Sequence, residues 1–168
     1  YEELAKLPAN EIYYQVSSDD NAEMKRELSI IKEVLGDKLI VKIPPTPSGF
    51  RFAAEISGEY KTCLTAVFSP AQALAARNCG VTYIAVYVNR ATRFMGDGNA
   101  LVTDCAITLE GSGTEIVAAS LKSTDEVAAA YMAGAEHVTL PYDILTKLTD
   151  NEFSKQAVDQ FNETGVFL

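Results

Sequence analysis

Lys42 stands in Leu39-Ile40-Val41-Lys42-Ile43-Pro44, a run that is otherwise apolar and rich in β-branched residues. Such a run reads as a buried strand, and a buried strand rarely carries an ammonium because its desolvation is costly. A lysine in that place has two uses. Near a strand end it can snorkel to water and remain a plain surface charge. Desolvation also favours the neutral amine, and a neutral amine can attack a carbonyl to form a Schiff base. An imine of that kind is an electron sink for carbon–carbon bond cleavage.

Two further groups have side chains suited to such chemistry. Tyr87 lies in the apolar run Thr82–Asn89, and Gln15 lies in Ile12–Ser17. A tyrosine there can simply pack. It can also move a proton, directly or through a water held by Tyr87, Gln15 and Thr65. A neutral Tyr–Gln pair near Lys42 leaves the lysine without a strong ion pair. The second group is Arg90, Ser120 and Lys122, which fall at strand ends, with Asn89 beside them as a further substrate-binding candidate. Singly, each cation reads as a solvated loop charge. Together, two cations and a hydroxyl suit a phosphate, with helix N-terminal amides adding to the site.

Other chemistries find less support. The chain has one histidine, His137, at the start of an apolar run, where a structural role is expected. The three cysteines, Cys63, Cys79 and Cys105, are scattered, which argues against a disulfide framework and fits a reducing cytosol. Neither they nor His137 have metal-ligand spacing, so neither a metal nor another cofactor is expected. The net charge of −9 gives no general attraction to nucleic acid or to an anionic membrane. No stretch approaches the ~18 consecutive apolar residues of a membrane span.

The elements that must position these residues follow a rhythm. Strands are predicted at Ile12–Ser17, Lys38–Pro44, Lys61–Phe68, Thr82–Asn89, Glu115–Lys122 and His137–Pro141. Helices are predicted at Ala22–Leu35, Pro47–Ile56, Ala71–Cys79, Asn99–Leu109, Ser123–Ala133 and Tyr142–Asn162. Ser123 and Glu126 have the spacing of a capping box. The strands start about 25 residues apart, the length of a βα unit. Strict alternation implies a parallel α/β sheet in one domain, taken over residues 1–150, with the last predicted helix running on into a C-terminal segment, residues 151–168.

An open doubly wound sheet and a (β/α)₈ TIM barrel both alternate in this way. The faces of the strands favour the barrel. Tyr13, Gln15 and Ser17 oppose Ile12, Tyr14 and Val16, while Ile40 and Lys42 oppose Leu39, Val41 and Ile43. Cys63, Thr65 and Val67 oppose Leu64, Ala66 and Phe68, and Tyr83, Ala85 and Tyr87 oppose Ile84, Val86 and Val88. In Glu115–Lys122, Ala118, Ser120 and Lys122 are assigned to the polar face, opposite Val117, Ala119 and Leu121. One aliphatic face and one partly polar face per strand fit a barrel wall, with active groups at its C-terminal mouth.

These blocks carry a resemblance. Leu39–Pro44, Leu64-Thr65-Ala66-Val67-Phe68-Ser69-Pro70-Ala71-Gln72, Tyr87-Val88-Asn89-Arg90 and Ala118–Lys122 resemble the transaldolase and fructose-6-phosphate aldolase family, as do Ala133-Gly134-Ala135 and Thr139-Leu140-Pro141. The resemblance implies a class I aldolase on a (β/α)₈ barrel, with Lys42 as the Schiff-base lysine. It implies that Thr65 helps to hold the catalytic water and that Arg90, Ser120 and Lys122 contact phosphate. Gln15 and Tyr87 resemble the aldolase branch, whereas transaldolases resemble Glu and Phe there. The family's first two strands, with Asp-Thr and Thr-Asn-Pro-Ser patterns, have no counterpart here. The chain is therefore expected to contain six βα units, matching the family's strands three to eight.

The expected activity is cleavage of fructose 6-phosphate to dihydroxyacetone and glyceraldehyde 3-phosphate in the cytoplasm. The alternatives are a transaldolase of the pentose phosphate pathway and, in another class, an inactive fragment acting as a scaffold. The expected partner is a sugar-phosphate substrate. A homo-oligomer, pentamer or decamer, is implied by the likeness of the C-terminal helix to the family's arm, with Val166-Phe167-Leu168 at its tip.

Overall fold

The computed structural model describes residues 1–165, so Val166-Phe167-Leu168 lie outside the described residues. After a short helix α1 (Glu2–Ala5), the elements alternate as β1 (Ile12–Gln15), α2 (Asn21–Leu35), β2 (Leu39–Ile43), α3 (Pro47–Ile56), β3 (Thr62–Val67) and α4 (Pro70–Asn78). They continue as β4 (Tyr83–Tyr87), α5 (Val88–Met95), α6 (Gly98–Leu109), β5 (Glu115–Ala119), α7 (Thr124–Met132), β6 (His137–Val138), α8 (Tyr142–Lys147) and α9 (Glu152–Thr164).

The helix starts are written in the sequence. Asp20, Thr46, Ser69, Ser123 and Asn151 each accept a hydrogen bond from the backbone N–H three residues on. Each satisfies a donor that the first helical turn leaves free, worth about 1 kcal/mol. Pro47 and Pro70 open α3 and α4, where the missing N–H costs nothing.

All strand pairs are parallel, and the order is β1-β2-β3-β4-β5-β6. A doubly wound sheet reverses its strand order at a switch point. This sheet never reverses, so the right-handed crossovers place the helices on one face. The main core lies there: Val41, Ile43, Leu64, Ile84 and Ile116 pack against helix residues such as Met24, Phe52 and Val102. Each such buried side chain contributes about 1.5–3 kcal/mol of transfer free energy. The opposite face carries a smaller cluster of strand residues alone, with Ile40, Cys63, Ala85, Val117 and Ala119 at its centre.

That second face is concave. Tyr13 of β1 and Tyr83 of β4 have ring centroids 6.1 Å apart. On a flat sheet their strands would be separated by about 14 Å, at ~4.8 Å per strand. The Tyr83 hydroxyl also donates to Glu11 Oε1 at 3.1 Å, just ahead of β1. The α/β sheet is thus a curled half-barrel with helices outside and a trough inside, as the alternating faces implied.

Three expectations are corrected. First, β4 ends at Tyr87, and Val88, Asn89 and Arg90 form the first turn of α5 rather than the end of a strand. Second, the β5 faces are the reverse of those assigned. Val117 and Ala119 face the trough, and Ala118 packs outside. In β3, Ala66 at φ 55 forms an irregularity that sends Val67 outward with Leu64. Third, the single C-terminal helix is two: α8 and α9 are separated by a break that Asn151 closes as the new cap. The α9 helix has no buried residue, and Phe153, Val158 and Phe161 are exposed along it. No helix among the described residues is long and apolar enough to cross a membrane.

Candidate active site

The trough holds a cavity of about 700 Å³, which Lys42, Tyr87, Arg90, Ser120 and Lys122 all line. Lys42 is the penultimate residue of β2 and shares its face with Ile40. The next turn of chain is held close by Gly49, on which a Cβ would lie 2.0 Å from the Pro44 carbonyl oxygen. Only a residue without a side chain lets α3 fold back over the strand end that presents Lys42.

Among the described residues, no carboxylate lies within salt-bridge distance of Lys42, Arg90 or Lys122. Cys63 is the register partner of Lys42 on β3. Burial pushes its thiol up to about 12, and the Lys42 charge pulls weakly the other way. The thiol beside the lysine is therefore neutral at ordinary pH.

Thr65 is buried and donates its hydroxyl to the Tyr87 phenol oxygen at 3.2 Å. Phe68 meets the Tyr87 ring edge-on at 5.9 Å. The Arg90 guanidinium carbon lies 4.7 Å from the centroid of the same ring, a cation–π contact. Gln15 is the register partner of Lys42 on β1 but is exposed at the sheet edge and does not line the cavity.

The anion-facing wall comes from two elements. Arg90 sits in the first turn of α5, while Ser120 and Lys122 follow β5. Ser120 has φ 63, a left-handed conformation that serine seldom adopts. The twist breaks the strand alternation, and Ser120, Leu121 and Lys122 all reach the cavity. Asn89 does not line it; its side-chain amide donates to Glu126 Oε1 at 2.7 Å. The expected capping box closes only halfway. Ser123 Oγ accepts from the Glu126 N–H at 3.1 Å, but Glu126 Oε2 accepts from the Lys122 N–H at 2.7 Å instead.

A second polar cluster occupies the opposite end of the trough. His137 Nε2 lies 2.7 Å from Glu115 Oε2, and its ring meets Tyr83 edge-on at 5.6 Å. Glu11 pairs with Lys61 at 2.6 Å. Burial raises the Tyr13 phenol above its ordinary value, assisted by Cys63 and Glu11. Strand parity placed Tyr13 and Tyr83 inside, but nothing local in the sequence marked Glu11 and Glu115 as their neighbours. Among the described residues, no group of three or more His, Cys, Asp or Glu could hold a metal ion.

Comparison with known proteins agrees with this architecture. A "Probable transaldolase" of Geobacter sulfurreducens is 28% identical over 162 residues, covering 95% of this chain and 75% of the relative. A "Probable transaldolase" of Sulfurihydrogenibium is 30% identical over 161 residues, covering 94% of this chain and 73% of the relative. A "Probable fructose-6-phosphate aldolase" of Streptococcus pneumoniae is 31% identical over 155 residues, covering 90% and 70%. Among solved structures, a mandelate oxidase variant carrying a monooxide FMN adduct matches with a TM-score of 0.62 at 16% identity. The match covers 83% of this chain, which spans half (50%) of that one, and is a likeness of fold alone. The family described as Transaldolase/Fructose-6-phosphate aldolase matches over residues 2–166, and the chain belongs to that family of enzymes.

Proposed function

We propose that the chain is the catalytic part of a sugar-phosphate aldolase that works through a Schiff base on Lys42. The observation that carries this reading is one cavity holding Lys42, Tyr87, Arg90, Ser120 and Lys122, with no carboxylate paired to the lysine among the described residues. Arg90, Ser120 and Lys122 hold the phosphate of fructose 6-phosphate. That anchor sets the C2 carbonyl against Lys42 Nζ. The amine adds to C2, and loss of water gives the imine. A base then takes the C4 hydroxyl proton and the C3–C4 bond breaks. Its electron pair passes to the imine as an enamine, and glyceraldehyde 3-phosphate leaves. Protonation at C3 and hydrolysis return dihydroxyacetone and the free lysine.

Tyr87 manages these protons through a water, with Thr65 fixing its hydroxyl. Gln15, beside Lys42 in register on the neighbouring strand, is the further neutral group of this reading. The eight-stranded barrel, a cytoplasmic location and a homo-oligomer built through α9 belong to the same reading.

A transaldolase is the second reading, and relatives bearing each name favour keeping it. In that case the enamine is held until it adds to an acceptor such as erythrose 4-phosphate. Release of free dihydroxyacetone from fructose 6-phosphate with no acceptor present supports the aldolase. Turnover that needs the acceptor supports the transaldolase.

A further inference from the structure

Glu126 joins the two elements that face the anion. One carboxylate oxygen accepts from the Asn89 side chain and the other from the Lys122 backbone N–H, both at 2.7 Å. Asn89 immediately precedes Arg90 on α5, and Lys122 ends the Ser120–Lys122 turn. The carboxylate thereby ties the helix bearing Arg90 to the turn bearing Ser120 and Lys122. A capping box would direct it to the Ser123 N–H; here it reaches outward in two directions. The turn that it holds contains the left-handed Ser120, a conformation that persists only where its surroundings enforce it.

We propose that Glu126 is a positioning residue for phosphate recognition. It sets the spacing between Arg90 and the Ser120–Lys122 turn so that one phosphate monoester is held by both. The inference rests on the reading of Arg90, Ser120 and Lys122 as the phosphate contacts. Its sign separates it from a simple charge effect. A carboxylate near an anion site repels the anion, so on charge alone its removal strengthens phosphate binding. A strut acts in the opposite direction, since its removal lets the two halves drift apart.

The test is a titration of the intact protein with inorganic phosphate, followed through the backbone amide resonances of residues 120–123. Glu126→Ala, Glu126→Gln and Arg90→Ala are compared, each first checked for native unfolding behaviour. Glu126→Ala is expected to weaken phosphate binding about tenfold, the effect of losing charge-assisted hydrogen bonds. Glu126→Gln is expected to stay within about twofold, because its amide oxygen keeps the Lys122 N–H and the Asn89 amide can turn over to accept from its nitrogen. Unchanged or tighter binding in Glu126→Ala, or a glutamine variant as weak as the alanine, overturns the strut. Arg90→Ala binding phosphate as well as the parent overturns the phosphate reading itself. Should Glu126→Ala not fold, Asn89→Ala removes one arm of the tie and is expected to weaken binding in the same direction; no loss there overturns the proposal.

Discussion

Thr65 on β3 donates a hydrogen bond to the Tyr87 hydroxyl on β4, at 3.2 Å, within the concave face of the sheet. The bond fixes a phenol that is already gripped by Phe68 at its edge and Arg90 over its face. Tyr87→Phe keeps both ring contacts and removes only the hydroxyl. It is expected to lower kcat for retro-aldol cleavage by about 10²–10⁴-fold, the usual contribution of a positioned acid or base. Stability should change by no more than about 1.5 kcal/mol, the net value of one hydrogen bond. Steady-state cleavage and thermal unfolding read the two separately.

Arg90 and Lys122 lie on the cavity wall with no carboxylate partner among the described residues. Replacing Arg90 with alanine is expected to raise KM for fructose 6-phosphate by roughly tenfold or more, the value of one charge-assisted pair. Addition of unphosphorylated aldehydes should change far less. Equal losses on both substrate types would remove Arg90 from phosphate binding.

Burial raises the thiols of Cys63 and Cys105 from the ordinary 9.0 to about 12. The unfolded chain loses these protons near pH 9, whereas the folded chain retains them until about pH 12. The unfolded state then binds fewer protons, so these two thiols make stability fall with rising pH across that window and add no pH dependence below it. Urea midpoints measured from pH 8 upward should show the fall, and Cys63→Ala should make it shallower. At neutral pH, Cys63 should resist alkylation until the protein unfolds.

Gly49 touches the end of β2 so closely that a methyl group would meet the Pro44 carbonyl oxygen at 2.0 Å and Ile43 Cγ2 at 3.2 Å. Gly49→Ala therefore forces α3 off the strand end. A loss of about 1–3 kcal/mol in unfolding free energy is expected, the usual cost of overpacking. Activity should fall as well, because the displaced strand end carries Lys42.

The alternation of Leu39–Ile43 and Tyr83–Tyr87 was readable because each strand has a chemical marker on its inward face, Lys42 in the first and Tyr83 and Tyr87 in the second, against aliphatic outward residues. In β5 the inward Val117 and Ala119 and the outward Ala118 are all small and apolar, so composition left the face open. The backbone settled it: the left-handed turn at Ser120 brings polar residues into the trough after the strand has ended. No glycine marked that turn. Val86-Tyr87-Val88 reads as continuous strand, yet Tyr87 at φ −90 and ψ 81 stops it and α5 begins. The helix break before Asn151 did have a signal in Thr149-Asp150-Asn151, three residues that favour turns and caps. The tie through Glu126 was half legible, since local spacing shows a cap but not its contact with Asn89, 37 residues away.

Every step of the proposed cleavage depends on a covalent bond from Lys42 to the substrate. Incubation with fructose 6-phosphate followed by borohydride, then peptide mass analysis, tests it most directly. One adduct, with the mass of a reduced dihydroxyacetone imine, is expected on the peptide carrying Lys42, and none in Lys42→Ala. An active protein that yields no adduct, or that carries it on another lysine while Lys42→Ala retains activity, would contradict it.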